Sequence, residues 1–249
     1  GKPSVLKYHI KLTSTYLKVI KIKSYKGKMR STKFYDPSDP DKLVANYLPN
    51  YGVLSGLFPT PLFASIKKEA KEIEKNFKKA QFFGHNLAGN IKREYELKKN
   101  HKGIEDFLIN TAKEYDAAFN YIQSVKVGTA DVPLVMDKAW INFQAKHEFN
   151  PLHTHSGIYS FVGFIRVPYT EKEITHTPGS KSNSPCAGAL EFKYSNMLGN
   201  IAGFTFQAAQ EDEGLFFFFP AKLNHSVYPF YTSNKYRVTI SANLVLKLK

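Results

Sequence analysis

The segment Tyr236-Arg-Val-Thr-Ile-Ser-Ala-Asn-Leu-Val-Leu246 alternates: Tyr236, Val238, Ile240, Ala242, Leu244 and Leu246 fall on one side, and Arg237, Thr239, Ser241 and Asn243 on the other. Successive side chains of a strand point to opposite faces, so the segment reads as a strand with one apolar and one polar face. Such a polar face arises in two ways. Either the strand lies half exposed with these residues in water, or the polar stripe lines an internal cavity.

Working outward, a period of two persists through candidate strands near 139–146, 158–168, 187–194, 203–207, 214–219, 223–229 and 235–248, separated by Gly, Pro, Ser and Asn clusters. Upstream the period changes. Thr60-Pro61 reads as an N-cap with proline at the first helical position, and Leu62, Ile66, Ile73 and Phe77 share one face of a helix expected to reach about Gln81. A second helical pattern (Ile104, Phe107, Leu108, Thr111, Tyr115, Ala118, Ile122) starts after Gly103 and ends near Ser124, and 87–97 reads either way. Helices first and strands later predict an α+β chain. Short strands in a row, after a helical pair that can brace one outer sheet face, predict a sandwich or jelly roll. Residues 4–24 read as a basic β-hairpin, and the turn-rich stretches 35–40 and 48–52 as a linker or draped loop. The expected division is a basic N-terminal segment, 1–57, followed by the main domain, 58–249.

With 249 residues, 43% apolar and 14% aromatic, the chain can bury a substantial core. Its longest apolar run, Leu215–Pro220, is far too short to span a bilayer, and no N-terminal apolar signal is evident. A single cysteine, Cys186, excludes an internal disulfide and a cysteine-based zinc site. The expectation is a soluble, cytoplasmic protein, in a host's cytoplasm if viral. The net charge of +14 is uneven: residues 1–33 hold nine lysines and one arginine with no acid, and no acid follows Glu213. That field favours acidic partners, whether nucleic acid, a nucleotide, an acidic protein or a small anion, although no nucleic-acid motif accompanies it.

Chemistry concentrates in Asn150-Pro-Leu-His153-Thr-His155 and Leu223-Asn-His225. On an extended segment His153 and His155 present two imidazoles to one point, and His225 is the candidate third. Neutral imidazole binds iron, copper and zinc, and three ligands on one side leave coordination positions open. If a jelly-roll interior lies behind them, Arg237 offers two parallel donors to a carboxylate and Thr239 adds a hydroxyl.

Taken together, Phe58-Pro-Thr-Pro-Leu-Phe63, Trp140-Ile-Asn142, Asn150 to Gly157 before Ser160-Phe-Val, Gly188 to Phe192, Phe219 to His225 and Arg237 to Asn243 resemble the Fe(II)- and 2-oxoglutarate-dependent oxygenases. The resemblance is to phage and bacterial members near the prolyl 4-hydroxylase branch, and it covers the C-terminal half well. It implies a double-stranded β-helix (jelly roll) with Fe(II), 2-oxoglutarate and dioxygen as cofactors. The implied reaction, a hydroxylation, couples decarboxylation of 2-oxoglutarate to succinate with oxidation of a substrate. Residue by residue, His153 takes the first ligand position, His155 the second and His225 the distal one; Arg237 anchors the far carboxylate, with Thr239 beside it. Asn142, Gln144 and Tyr159 stand where cosubstrate contacts are expected. The usual family pattern is His-x-Asp or His-x-Glu, so His155 is a departure that leaves the metal site one charge more positive. Glu148 and Glu191 are alternative sources of the carboxylate.

Two other classes stay open. One is a jelly-roll binding module for an acidic partner without turnover, and the other a three-histidine cupin-like zinc enzyme. A prolyl residue, a nucleic-acid base and a small metabolite are the candidate substrates, and 170–187 is long enough to form a lid.

Overall fold

The computed structural model describes residues 50–84, 89–124, 132–177 and 179–247. The expected hairpin at 4–24 and the basic stretch 1–33 lie outside them. In chain order the elements are β1 (Leu54–Leu57), α1 (Thr60–Lys75), β2 (Glu94–Glu96), α2 (His101–Phe119), α3 (Tyr121–Ser124), β3 (Leu134–Gln144), β4 (Asn150–His153) and β5 (Tyr159–Arg166). There follow α4 (Lys172–Thr175), β6 (Ala189–Ser195), β7 (Ile201–Gln207), β8 (Leu215–Pro220), β9 (Asn224–Val227) and β10 (Arg237–Leu246).

The strands form two antiparallel sheets of jelly-roll type, a six-stranded one ordered β1-β8-β5-β10-β3-β2 and a four-stranded one ordered β4-β9-β6-β7. β10 is paired on both sides, by β3 and by β5, so its polar stripe is not that of an exposed edge strand. Its two faces serve different interiors. Val238, Ile240, Ala242 and Leu244 join a hydrophobic cluster with Ile66 of α1 and Ile104 and Leu108 of α2. Arg237, Thr239, Ser241 and Asn243 line a cavity on the opposite face. β8 divides its phenylalanines in the same way: Phe216 and Phe218 enter the first cluster, while Phe217 and Phe219 enter a second one with Phe192 of β6. Strand alternation thus builds two cores from one sheet.

The first helix starts one residue earlier than expected: Thr60 is its first helical residue and Pro59, without a side-chain bond, its N-cap, while Pro61 lies in the first turn; it ends at Lys75 and is followed by a 3-10 turn, Phe77–Lys79. Buried Glu69 accepts from the amides of Lys98 (2.9 Å) and Lys99 (3.0 Å) and from Asn100 Nδ2 (2.7 Å), which fixes the approach to α2. α2 ends at Asn120, whose φ of 50° is the left-handed conformation that asparagine tolerates. Arg166 of β5 grips Glu74 of α1 through two bonds of 2.9 and 2.7 Å.

Leu54–Leu57, which the sequence reading leaves in the N-terminal segment, is an edge strand paired to β8. Directly after it, Phe58 lies across β5 at Gly163, where a Cβ would stand 2.4 Å from the Phe58 ring. Only glycine admits that ring. Phe58 also contacts Phe63, Phe107, Phe161 and Phe216 at centroid distances of 5.5–6.0 Å, so the Phe58–Phe63 motif is a packing element.

Candidate active site

The cavity, about 510 Å³, opens between the two sheets and is lined by all three histidines together with Asn142, Arg237 and Thr239. That volume is typical of a small-molecule site. His153 ends β4 and is the register partner of His225 on β9, and their ring centroids are 4.2 Å apart. His155 follows the strand rather than belonging to it. Its amide donates to Ala221 O (2.9 Å), which turns the chain so that Nε2 lies 3.2 Å from His225 Nε2. The convergence therefore owes more to this turn than to i, i+2 alternation.

One ligand atom from each of the three rings can be chosen so that all lie within 4.8 Å of one another. On two of the three rings the other nitrogen is engaged: His153 Nδ1–H donates to Pro151 O (2.7 Å) and His225 Nδ1–H to Leu223 O (2.9 Å). A carbonyl on Nδ1 fixes the tautomer that leaves Nε2 with a free lone pair, the usual support of a metal-binding imidazole. Burial lowers the pKa of His225 to about 3 and of His155 to about 4, with His153 adding to both shifts. Both rings are thus neutral at pH 7, the form that binds metal. The donor set fits a first-row divalent ion such as Fe(II), and among the described residues no carboxylate joins it. Glu148 instead accepts from the Ala145 amide (2.9 Å), and Glu191 is held by Tyr228 OH (2.8 Å) and Lys193 (2.7 Å).

One wall is aromatic. Trp140 lies between His155 (5.9 Å) and Phe83 (5.4 Å, stacked). Four residues further along β3, about 13 Å at strand spacing, Gln144 stands opposite Arg237. Arg237 is 1% exposed. Its Nε and Nη2 donate to Gln144 Oε1 (2.9 and 2.5 Å), Nη1 to Tyr169 OH (2.8 Å) and Gly188 O (2.5 Å), and Nη2 also to Tyr228 O (3.3 Å). Every one of these acceptors is neutral, so the guanidinium is oriented but has no carboxylate partner among the described residues.

The structure does not bring Tyr159 to the cavity. Fully buried, it faces the helical side, where its hydroxyl donates to Asp116 Oδ1. Asn142 and Gln144 do line the cavity, as does Thr239. Tyr169 and the carbonyls of Gly188 and Tyr228 carry no sequence signal, since a lone tyrosine in Val-Pro-Tyr-Thr and two backbone oxygens form no pattern. The segment 170–187 is tied at its start, where buried Glu173 accepts from the amides of Tyr231 (2.5 Å) and Thr232 (3.0 Å).

Residues 138–243 match the family described as "Putative 2OG-Fe(II) oxygenase". Among solved structures the chain is similar to a prolyl 4-hydroxylase of Pseudomonas putida (10% identity, TM-score 0.45, 79% of this chain and 94% of that one). It is also similar to a viral collagen prolyl hydroxylase of Paramecium bursaria Chlorella virus-1 in its 2OG complex (9%, 0.42, 78% and 94%). A third likeness is to a Trichoplax adhaerens prolyl hydroxylase in complex with a hypoxia inducible factor peptide fragment (9%, 0.45, 77% and 81%). No curated protein matches. Residues 138–243, which hold the three histidines, Arg237 and most of both sheets, are thus the part of the chain that is similar to the 2OG-Fe(II) oxygenases.

Proposed function

We propose that this protein is a Fe(II)- and 2-oxoglutarate-dependent dioxygenase acting as a hydroxylase, with a prolyl residue the first substrate to test. The observation that supports it best is the pairing, in one cavity, of three converging imidazoles with a buried arginine that has no carboxylate partner among the described residues. In this reading His153, His155 and His225 hold the metal through Nε2, and Arg237 with Thr239 receives the far carboxylate of 2-oxoglutarate. When bound, Fe(II) supplies the redox chemistry that couples decarboxylation of 2-oxoglutarate to oxidation of a substrate C–H bond. The protein's part is orientation: the Nδ1 bonds to carbonyls aim the imidazoles, Gln144, Tyr169 and Gly188 hold the guanidinium, and Trp140 and Phe83 keep water from one side.

The reading includes residues 58–249 as the oxygenase domain, a double-stranded β-helix braced by α1 and α2 on its outer face, with 1–57 as a separate basic segment. Anaerobic titration of metal-free protein with Fe(II) and 2-oxoglutarate tests it. A visible charge-transfer band in the wild type, lost in His225→Ala and needing far more 2-oxoglutarate in Arg237→Ala, is the expected result. No band in the wild type overturns it. The all-imidazole donor set also suits Zn(II), and stoichiometric zinc that iron does not replace would favour a three-histidine zinc enzyme.

A further inference from the structure

Phe82 bridges to Tyr95, and the amide of Phe83 donates to Glu94 O (2.8 Å), while Glu94 pairs with Asn142 and Asn142 with Thr239. Phe83, Glu94, Asn142 and Thr239 therefore form one row across the inner face of the six-stranded sheet, and three of the four line the cavity. Glu94, the remaining one, is 1% exposed. This row holds two buried oxygens without hydrogen-bond partners, Glu94 Oε1 and Asn142 Oδ1. Directly opposed positions hold their Cβ atoms about 5 Å apart, so carboxyl and amide are within mutual reach. Unpartnered buried acceptors are costly, and a single proton placed between these two satisfies both.

We infer that Glu94 is a positioning residue for the cosubstrate, acting as a neutral carboxylic acid that donates its proton to Asn142 Oδ1. The inference rests on the proposed binding of 2-oxoglutarate in this cavity. Asn142, held so, directs Nδ2 to Thr239 Oγ1 (3.2 Å) and Ser241 Oγ (3.4 Å). Both hydroxyls then accept from the amide, and their own hydrogens are free to donate into the cavity, where an anion gains from them. An ionised Glu94 requires the reverse. The Asn142 amide would turn to give Nδ2 to the carboxylate, its Oδ1 would claim the hydroxyl hydrogens, and the cavity would lose two donors.

The surroundings favour the neutral form. Burial first, and then the charge of Glu148, the charged neighbour that acts on it among the described residues, together raise the pKa of Glu94 to about 7. From β3 it faces neutral Asn142, and on the side of residues 82–84 it meets Phe83 and Gly84. The donor arrangement is thus complete below about pH 7 and lost as pH rises through that value.

The test is calorimetric titration of 2-oxoglutarate into Fe(II)-loaded, anaerobic protein between about pH 6 and 8.5, across the Glu94 transition. Wild-type Kd should rise about tenfold across this range, the scale of one charge-assisted hydrogen bond. Glu94→Gln, whose amide donates to Asn142 at any pH, should bind tightly throughout with no such limb. Glu94→Ala should bind about tenfold more weakly at the low end. A flat wild-type profile, or Glu94→Gln as weak as Glu94→Ala with both folded by circular dichroism, would overturn the role of Glu94 and leave the oxygenase reading standing. Absence of 2-oxoglutarate binding by the wild type would remove that reading and this one with it.

Discussion

His153 and His225 are direct register partners across the β4–β9 pair, and their rings meet at 4.2 Å. Two of the three imidazoles are thereby set by main-chain pairing, and the geometry does not depend on a flexible loop. Only His155 is placed from outside a strand, through its amide bond to Ala221 O.

Removing His225 should therefore abolish the centre rather than loosen it. His225→Ala is expected to weaken Fe(II) binding by at least about 100-fold, more than loss of a supporting bond costs. Metal content after dialysis against a defined free-metal buffer checks this.

Arg237→Lys retains the charge but not the planar fork, and takes donors away from Gln144 Oε1 and Tyr169 OH, while Gly188 O keeps its bond from Tyr169. We expect a loss on the order of 3 kcal/mol in stability, read by urea denaturation, together with at least tenfold weaker 2-oxoglutarate binding. A variant as stable as the wild type would show that these bonds are dispensable.

Gly163→Ala puts a methyl group 2.4 Å from the Phe58 ring. The ring sits in a packed aromatic cluster and cannot yield freely, so a destabilisation of about 1–3 kcal/mol is expected. The double variant Gly163→Ala/Phe58→Leu should recover part of it in a thermal melt.

Metal-free protein should lose stability in acid in a defined window. His155 and His225 have folded pKa values lowered to about 4 and about 3 from an ordinary 6.5, so below 6.5 the unfolded chain binds more protons than the folded one. Stability therefore falls as pH drops from about 6.5 towards 3–4. His225→Gln should flatten the slope, and bound metal should oppose it. Thermal melts at stepped pH, with and without Zn(II), read both effects.

The parts of the fold legible in the sequence were those with long periodic signals. β10, alternating from Arg237 through Leu244, shows both faces in its sequence, and the four phenylalanines of β8 fall near the expected strand. β1 and β2 escaped because four residues containing Gly56 and three containing two glutamates carry no usable period. β4 escaped because Pro151 argues against a strand, and it is tolerated where β4 forms an edge. At the site, the histidines and Arg237 were legible because residue type alone announces their chemistry. Tyr159 was misplaced by one step of the pleat, which sends a side chain to the opposite core. Tyr169 and Glu94 depend on partners distant in the chain, and only the folded structure brings these together.

The two-sidedness of β10 makes the scaffold separable for engineering. Positions 239, 241 and 243 can be varied as a set to reshape the chamber, while 238, 240, 242 and 244 remain untouched as the structural half of the same strand. A library confined to the first set would reset how the chamber holds its ligands, cosubstrate included, on an intact frame. Its counterpart on the second set would report thermostability alone, so one strand supplies both the variable and the control for retargeting.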